Sequence, residues 1–410
     1  MPPQRGHNLV RVWSDTCPDV VKAHTKKGME VSYVGEVQVT DSSDLSNVVA
    51  SLRNNHHVVD VMVGCETGVL CADRLAAALG VRGNGIEKSS LRRNKFDQIE
   101  AVRDAGLDAP LQKLARTASD VDAWLESAPF PTPFKAVVKP VEGAGSDGVS
   151  ICDSPEEVRK AFVSLEGTKN VLGLTNYEVL LQEYLHGDEY VVDTVSADGV
   201  HKVVAMWKYD KRASNGAPVV YFGMSLLQLD EVAHPELNQM AKYVEGVLNA
   251  LGIQWGAMHT EVKLEARGPV LVEVNCRLHG GEGIWLPITE RAAGYTQVSA
   301  MCDAYLDRAS FDALPRYPTN LLAHGAWVTV RANKSGTITK LNEARLDTIR
   351  KLASYRDEYM PLNVGSHVAM TIDACTIHGC VNLVHEDEAQ LCMDYMIAQG
   401  LVEQGLYEIE

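Results

Sequence analysis

The segment Trp255 to Asn275 constrains the fold more than any other. Two runs rich in apolar and β-branched residues, Trp255 to Leu264 and Val270 to Asn275, flank the short turn Glu265 to Pro269, which is the pattern of an antiparallel hairpin. If Leu264 pairs with Val270, the register brings Glu261 opposite Glu273 and His259 opposite Asn275. Side chains alternate across a strand, so these four share one face, and Val270, Val272 and Val274 take the other. Opposed residues have Cβ atoms about 5 Å apart, a separation at which two carboxylates repel unless a cation lies between them. Mg²⁺ suits the position, because it takes one or two carboxylates and leaves its other sites to phosphate oxygens and water. A solvated face with the carboxylates turned apart accounts for the same pattern equally well.

The residues just after the hairpin favour the metal. In Asn275-Cys276-Arg277-Leu278-His279-Gly280-Gly281-Glu282-Gly283, Arg277 stands two residues beyond Asn275 and so on the same face. A guanidinium there could stabilise charge developing on an acyl oxygen. The glycines after it let the backbone approach a ligand closely. Cys276 reads as a small buried residue, not a nucleophile.

Upstream, Val58 to Val63 is a Val-rich strand that ends in Gly64-Cys65-Glu66-Thr67-Gly68, and a helix runs on to Leu79 and stops at Gly80. The stretch Ser89 to Ala105 is helical and starts with Arg92, Arg93 and Lys95. Lys135 to Lys139 reads as a strand leading into the loop Glu142 to Gly148, and Val149 to Cys152 as its return. Ser154 and Pro155 open a helix. Glu178 to Tyr184 is a strand, and Asp198-Gly199 is a hairpin turn. An amphipathic helix carries Leu237, Met240, Val244, Val247, Leu248 and Leu251 and closes at Gly252. Strands and glycine turns fill the region after Ala323, with a last helix near Glu388 to Gln399.

Bulk properties exclude several classes. The 410 residues exceed one ordinary core. With 46% hydrophobic and 22% charged residues and no run of about 18 apolar residues, the composition is globular, not membrane-spanning. A net charge of −16 repels nucleic acid. Met1 to His7 lacks the apolar stretch of a secretory signal, and the nine scattered cysteines read as reduced thiols, so a cytoplasmic location is expected.

Taken together, residues 58 to 300 resemble the ATP-grasp superfamily, and Gly64 to Gly68, Arg92 to Lys95, His259 to Glu261 and Arg277 to Gly281 look most like the L-amino acid ligases, which make dipeptides. The resemblance implies an α/β fold with α+β lobes: an amino-terminal α/β domain over 1–90, a connecting helical segment over 91–133, a small lid subdomain over 134–206, a large subdomain over 207–322 and a β-rich carboxy-terminal α+β domain over 323–410. The family has a further strand and helix before the segment resembling Val10 to Asp15, which leaves the edge of the first sheet open.

The same resemblance implies ATP and Mg²⁺, with Mn²⁺ as an alternative ion. Lys95 and Lys139 would hold the phosphates, Lys139 also acting with Arg277 in catalysis, under a lid containing Gly143, Ser146 and Gly148. Glu183, Tyr184, Leu185 and Glu189 would contact adenine and ribose, and Glu261, Glu273 and Asn275 would hold the metal. The amino acid substrates would lie near Glu66, His259, Arg277, Gly280, Gly281 and Trp285, bordered by Trp207 to Met224. Read without the resemblance, Glu66 could equally cap the next helix, and Trp285 is more often core than pocket. The implied reaction is amide formation through an acyl phosphate with release of ADP and phosphate. A bicarbonate-dependent carboxylase, a purine-pathway ligase and a non-catalytic ATP-binding module are the competing readings, and a homodimer is an allowed assembly.

Overall fold

A computed structural model describes residues 5–19, 21–22, 31–143 and 145–410. At the amino-terminal end Val10–Trp13 and Gly35–Gln38 pair in parallel, and the helices Ser46–Asn55 and Val69–Leu79 pack nearby. The second helix ends at Gly80, whose φ of 72° is a left-handed cap that glycine adopts without strain. Val58 to Val63 differs from expectation and forms no strand ladder. Val58 and Val61 still pack against the cluster of Val39, Leu52 and Leu75. The valines are placed by burial, which does not require a paired neighbour.

The next sheet is antiparallel, in the order Gln112–Ala115, Val179–Glu183, Ala136–Pro140 and Ser150–Cys152. The helices Ala118–Ser127 and Pro155–Leu165 cover it. Ser154 caps the second by accepting the Glu157 N–H, with Pro155 in the first turn. This lobe starts earlier than the division at residue 134. Gln112–Ala115 is too short and polar to read as a strand alone, and its pairing with Val179–Glu183 makes it one.

The body of the molecule is an eight-stranded sheet. Its order is Gly268–Asn275, Gly256–Glu265, Glu189–Ala197, Val200–Ser214, Ala217–Leu227, His324–Thr329, Cys380–His385 and Tyr355–Tyr359. Two expected boundaries therefore move. Glu189–Ala197 and the start of Val200–Ser214 belong here and not to a lid ending at 206, and three strands from 323–410 continue the same sheet, while Gly336–Leu341, His367–Val368 and Tyr407–Ile409 form a separate three-stranded sheet over a core of their own. Glu189–Ala197 and Val200–Ser214 meet at Asp198 and Gly199, with φ of 50° and 73°, the paired positive angles that a type I′ turn needs.

The helix Pro235–Ala250 backs this sheet, burying Leu237, Met240, Val244, Val247 and Leu248 against Val192, Val262, Leu271 and Val274. It leaves the opposite face of the hairpin free for polar groups. Among the described residues no helix is long and apolar enough to cross a membrane. All nine cysteines are free.

Candidate active site

The hairpin places Glu261 opposite Glu273 and His259 opposite Asn275. The route differs from the one expected. Near the turn Leu264 pairs with Pro269, not Val270, and a bulge between Glu261 and Val262 shifts the register by one residue. Leu271, not Val270 or Val272, therefore joins Val274 in the core beneath the helix. Gly268–Asn275 is the sheet edge, and side chains satisfy outward backbone groups at Val274 and Leu271. Gln98 donates to the Val274 carbonyl at 3.0 Å and accepts its N–H at 2.6 Å, while the Tyr243 hydroxyl accepts the Leu271 N–H at 2.9 Å.

Gln98 belongs to the helix Lys95–Asp104, capped by Asn94. Pinning that helix to the edge strand delivers Lys95, whose Nζ lies 3.0 Å from Glu273 and 3.3 Å from the Gly143 carbonyl. The basic run divides its labour. Arg92 is fully buried and bonds Asp73 at 2.9 Å, which is structural. Arg93 reaches Glu66 and, at 3.5 Å, Glu142.

Lys139 is buried, and Glu273, Lys95, Glu261 and Glu189 all act on its charge. Burial pushes its ammonium down to about 8, with Lys95 adding to the effect and the carboxylates opposing it. The two lysines and the two carboxylates thus occupy one place. Burial alone would raise both carboxyls, but Lys211 and His259 hold Glu261 well below its ordinary range, and Lys95 holds Glu273 down. Asn275 donates to Glu273 at 2.9 Å and leaves its amide oxygen available. Two ionised carboxylates and an amide oxygen form a hard oxygen donor set, which fits a divalent cation.

Other expected contacts are altered. Glu183 gives its N–H to the Leu111 carbonyl and its carboxylate to Arg267 and the Leu111 N–H, so it is spent on holding the strand. Tyr184 lies beside Lys135 and Lys263, and the Leu185 carbonyl accepts from Lys263 at 3.1 Å. Glu189 is ion-paired with Lys211, and Tyr209 donates to Glu261 at 3.0 Å. Lys208 and Arg212, from the same stretch, point away into exposed pairs with Asp188 and Asp210. In the lid loop, Ser146 lies 3.3 Å from the Tyr221 hydroxyl; a Cβ on Gly148 would clash at 2.8 Å with Leu165, so that glycine serves packing. Ala144 of this loop is outside the described residues.

At the far end, Glu66 is clamped between Arg93 and Arg277, the latter at 3.0 Å. The Arg93 guanidinium takes Glu66 Oε1, while the buried Oε2 lies beside Arg277 and accepts no hydrogen bond, so an acceptor remains there. Trp285 is 1% exposed, stacks on His279 and donates to the Gly280 carbonyl at 2.9 Å, so it supports the glycine loop from the core instead of lining a pocket. Gly281, with φ of 69°, starts the turn beyond it. His259 is buried and turns one nitrogen to Asp193 and the other to Glu261, so both its ring nitrogens are engaged within the protein. Burial opposes its protonation, but the bonds to those two carboxylates raise its basicity. Cys276 is buried and its thiol is pushed far up, as a non-nucleophilic residue should be.

A match to the model of the ATP-grasp domain spans residues 132–285, the region that holds Lys139, the lid loop, the facing carboxylates and Arg277. The chain carries an ATP-grasp domain. Over 389 residues it is 28% identical to dapdiamide A synthase of Enterobacter agglomerans, covering 94% of this chain and 88% of that one. The alanine–anticapsin ligase of Bacillus subtilis is 28% identical over 221 residues, 49% of this chain and 44% of that protein. The solved structure of an L-amino acid ligase from Bacillus licheniformis shares the ATP-grasp fold, with a TM-score of 0.73 at 19% identity over 98% of each chain.

Sequence reasoning missed Asp193. The signal was there: a lone carboxylate in Val191-Val192-Asp193-Thr194-Val195 must find partners if that strand is buried.

Proposed function

We propose that this protein is an ADP-forming ligase that joins the carboxylate of one amino acid to the amine of another. The observation that carries the reading is the convergence of Lys95, Lys139 and the facing Glu261 and Glu273 on one face of a hairpin whose next segment supplies Arg277. Similarity to two amino acid ligases supports it.

In this reading the terminal phosphoryl of ATP passes to a substrate carboxylate, giving ADP and an acyl phosphate. The amine of the second substrate attacks the acyl carbon, the C–O bond to phosphate breaks, and the amine's proton leaves as inorganic phosphate departs. Phosphoryl transfer asks mainly for positioning and charge neutralisation. Lys95 and Lys139 hold phosphate oxygens, and Arg277 faces the reacting acyl group. Glu261, Glu273 and Asn275 hold Mg²⁺, which Mn²⁺ can replace; the ion supplies charge neutralisation at the phosphates. The loop from Glu142 to Gly148 keeps water from the acyl phosphate.

The test is phosphate release from Mg²⁺-ATP across a panel of amino acid pairs, with mass spectrometry of the products. A product lighter by one water than its two amino acids combined is expected. Full ADP release with bicarbonate and no amine would replace this reading with a carboxylase.

A further inference from the structure

Asp193 lies in the middle of the buried strand Glu189–Ala197 and is itself fully buried. A carboxylate in that setting is costly unless its oxygens are hydrogen-bonded. Both are. One oxygen faces Nδ1 of His259 at 3.0 Å; the other faces Nδ1 of His279 at 2.7 Å and accepts the Trp207 indole N–H at 2.9 Å. Asp193 and His259 are directly opposed across adjacent strands, so the ladder itself sets one arm.

The two histidines lead to different parts of the site. Nε2 of His259 lies 3.4 Å from Glu261. His279 belongs to the loop between Arg277 and Gly280; its N–H is held by Gln297 at 2.8 Å and its ring stacks on Trp285, which binds the Gly280 carbonyl. The trio could be taken for a metal centre, since its ligand-type atoms lie within 4.8 Å of one another. Its distances argue otherwise. Atoms sharing a tetrahedral zinc ion at about 2.0–2.1 Å stand roughly 3.3 Å apart, whereas 2.7 and 3.0 Å are hydrogen-bond lengths.

We infer that Asp193 is a positioning residue that couples the carboxylate Glu261 to the Arg277 loop through His259 and His279. The inference rests on the reading that Glu261 and Glu273 hold a divalent ion. A carboxylate on Nδ1 fixes the orientation of an imidazole, and the other nitrogen of His259 is then aimed at Glu261. The same carboxylate holds His279, and with it the backbone that carries Arg277.

The test compares wild type with Asp193→Asn. An amide offers one acceptor oxygen where the carboxylate has two, so one histidine arm is released. Mn²⁺ binding in the presence of a non-hydrolysable ATP analogue is followed by electron paramagnetic resonance, and kcat is measured at saturating substrates. Mn²⁺ affinity is expected to fall about 10–100-fold and kcat about tenfold or more, with affinity for the analogue in the absence of metal unchanged. If wild type itself binds no Mn²⁺, the metal reading fails and the inference falls with it. If wild type binds Mn²⁺ and folded Asp193→Asn matches it in affinity and kcat, or loses only thermal stability, the positioning role alone is overturned. Should Asp193→Asn not fold, His279→Gln cuts just the loop arm: a lower kcat at unchanged Mn²⁺ affinity supports the coupling, and a wild-type kcat overturns it.

Discussion

The two ends of the proposed site are built differently. At the proposed phosphate end, Glu189, Tyr209, Lys211, Glu261 and Glu273 come from adjacent strands of one sheet, and Lys95 from a helix pinned to its edge by Gln98. At the proposed acyl end, Glu66, Arg93, Glu142 and Arg277 come from widely separated segments that meet only when the chain packs. A strand ladder fixes its side chains by backbone pairing. An interlobe cluster is held by its own ion pairs. Changes at the first end should therefore act on chemistry with little effect on folding, and changes at the second should act on both.

The largest effect belongs to Glu273→Gln. It removes a charge from the proposed metal site while keeping shape, and turnover should fall by about 10³-fold or more, to the detection limit of an ADP assay, with a melting temperature close to wild type. A variant that keeps a tenth of wild-type turnover would break the assignment.

Arg277→Met should lower kcat about 10²-fold, the usual scale for losing one transition-state donor, while calorimetry shows ATP binding retained. Because Glu66 then keeps only Arg93, a lower melting temperature is expected here and not for Glu273→Gln. Wild-type turnover in the folded variant would end the role given to Arg277.

Lys139 sharpens the phosphate end through pH. Its ammonium titrates near 8 in the folded protein against an ordinary 10.5, so the folded state releases this proton first. ATP affinity should weaken as pH rises through about 8, by at most about tenfold per unit. In the absence of nucleotide the sign for stability is opposite: between about 8 and 10.5 the unfolded chain binds more protons, so the stabilising contribution grows with pH. Titration calorimetry and denaturant unfolding across that window measure both, and Lys139→Arg should flatten both. A flat ATP affinity from pH 7 to 9 in wild type would contradict the burial of this cation.

The smallest effect is Glu66→Gln. It leaves two guanidiniums without their shared carboxylate and should cost about 1–3 kcal/mol of stability with ATP affinity unchanged. Equal loss of ATP affinity would show that the two ends are not separable.

Much of the phosphate end was legible because strand alternation is local: His259, Glu261, Glu273 and Asn275 share a face by period alone. Even there the answer came by a mistaken route, since the turn pairs Leu264 with Pro269 and the bulge beside Glu261 restores the facing carboxylates. Residue order and type in Lys95, Lys139 and Arg277 sufficed for the resemblance. The partners of Glu66 were not legible because Arg93 and Arg277 stand in distant segments, and Trp285 proved to be core because Trp207, Met224 and Trp327 of the central sheet close over it. The sheet boundaries shifted for the same kind of reason, as Gln112–Ala115 becomes a strand only beside Val179–Glu183.

The sequence by itself determined which residues alternate to one face, where helices start and stop, as at Ser154 and Gly80, and which chemistry-bearing types stand at the hairpin. These depend on interactions within a few residues. Only the tertiary structure decided that Asp193 holds two histidines, that Arg93 and Arg277 meet at Glu66, and that His324–Thr329, Tyr355–Tyr359 and Cys380–His385 extend the central sheet. Each requires segments distant along the chain to be brought together, and the partner of a buried charge is set by packing, which local periodicity does not encode.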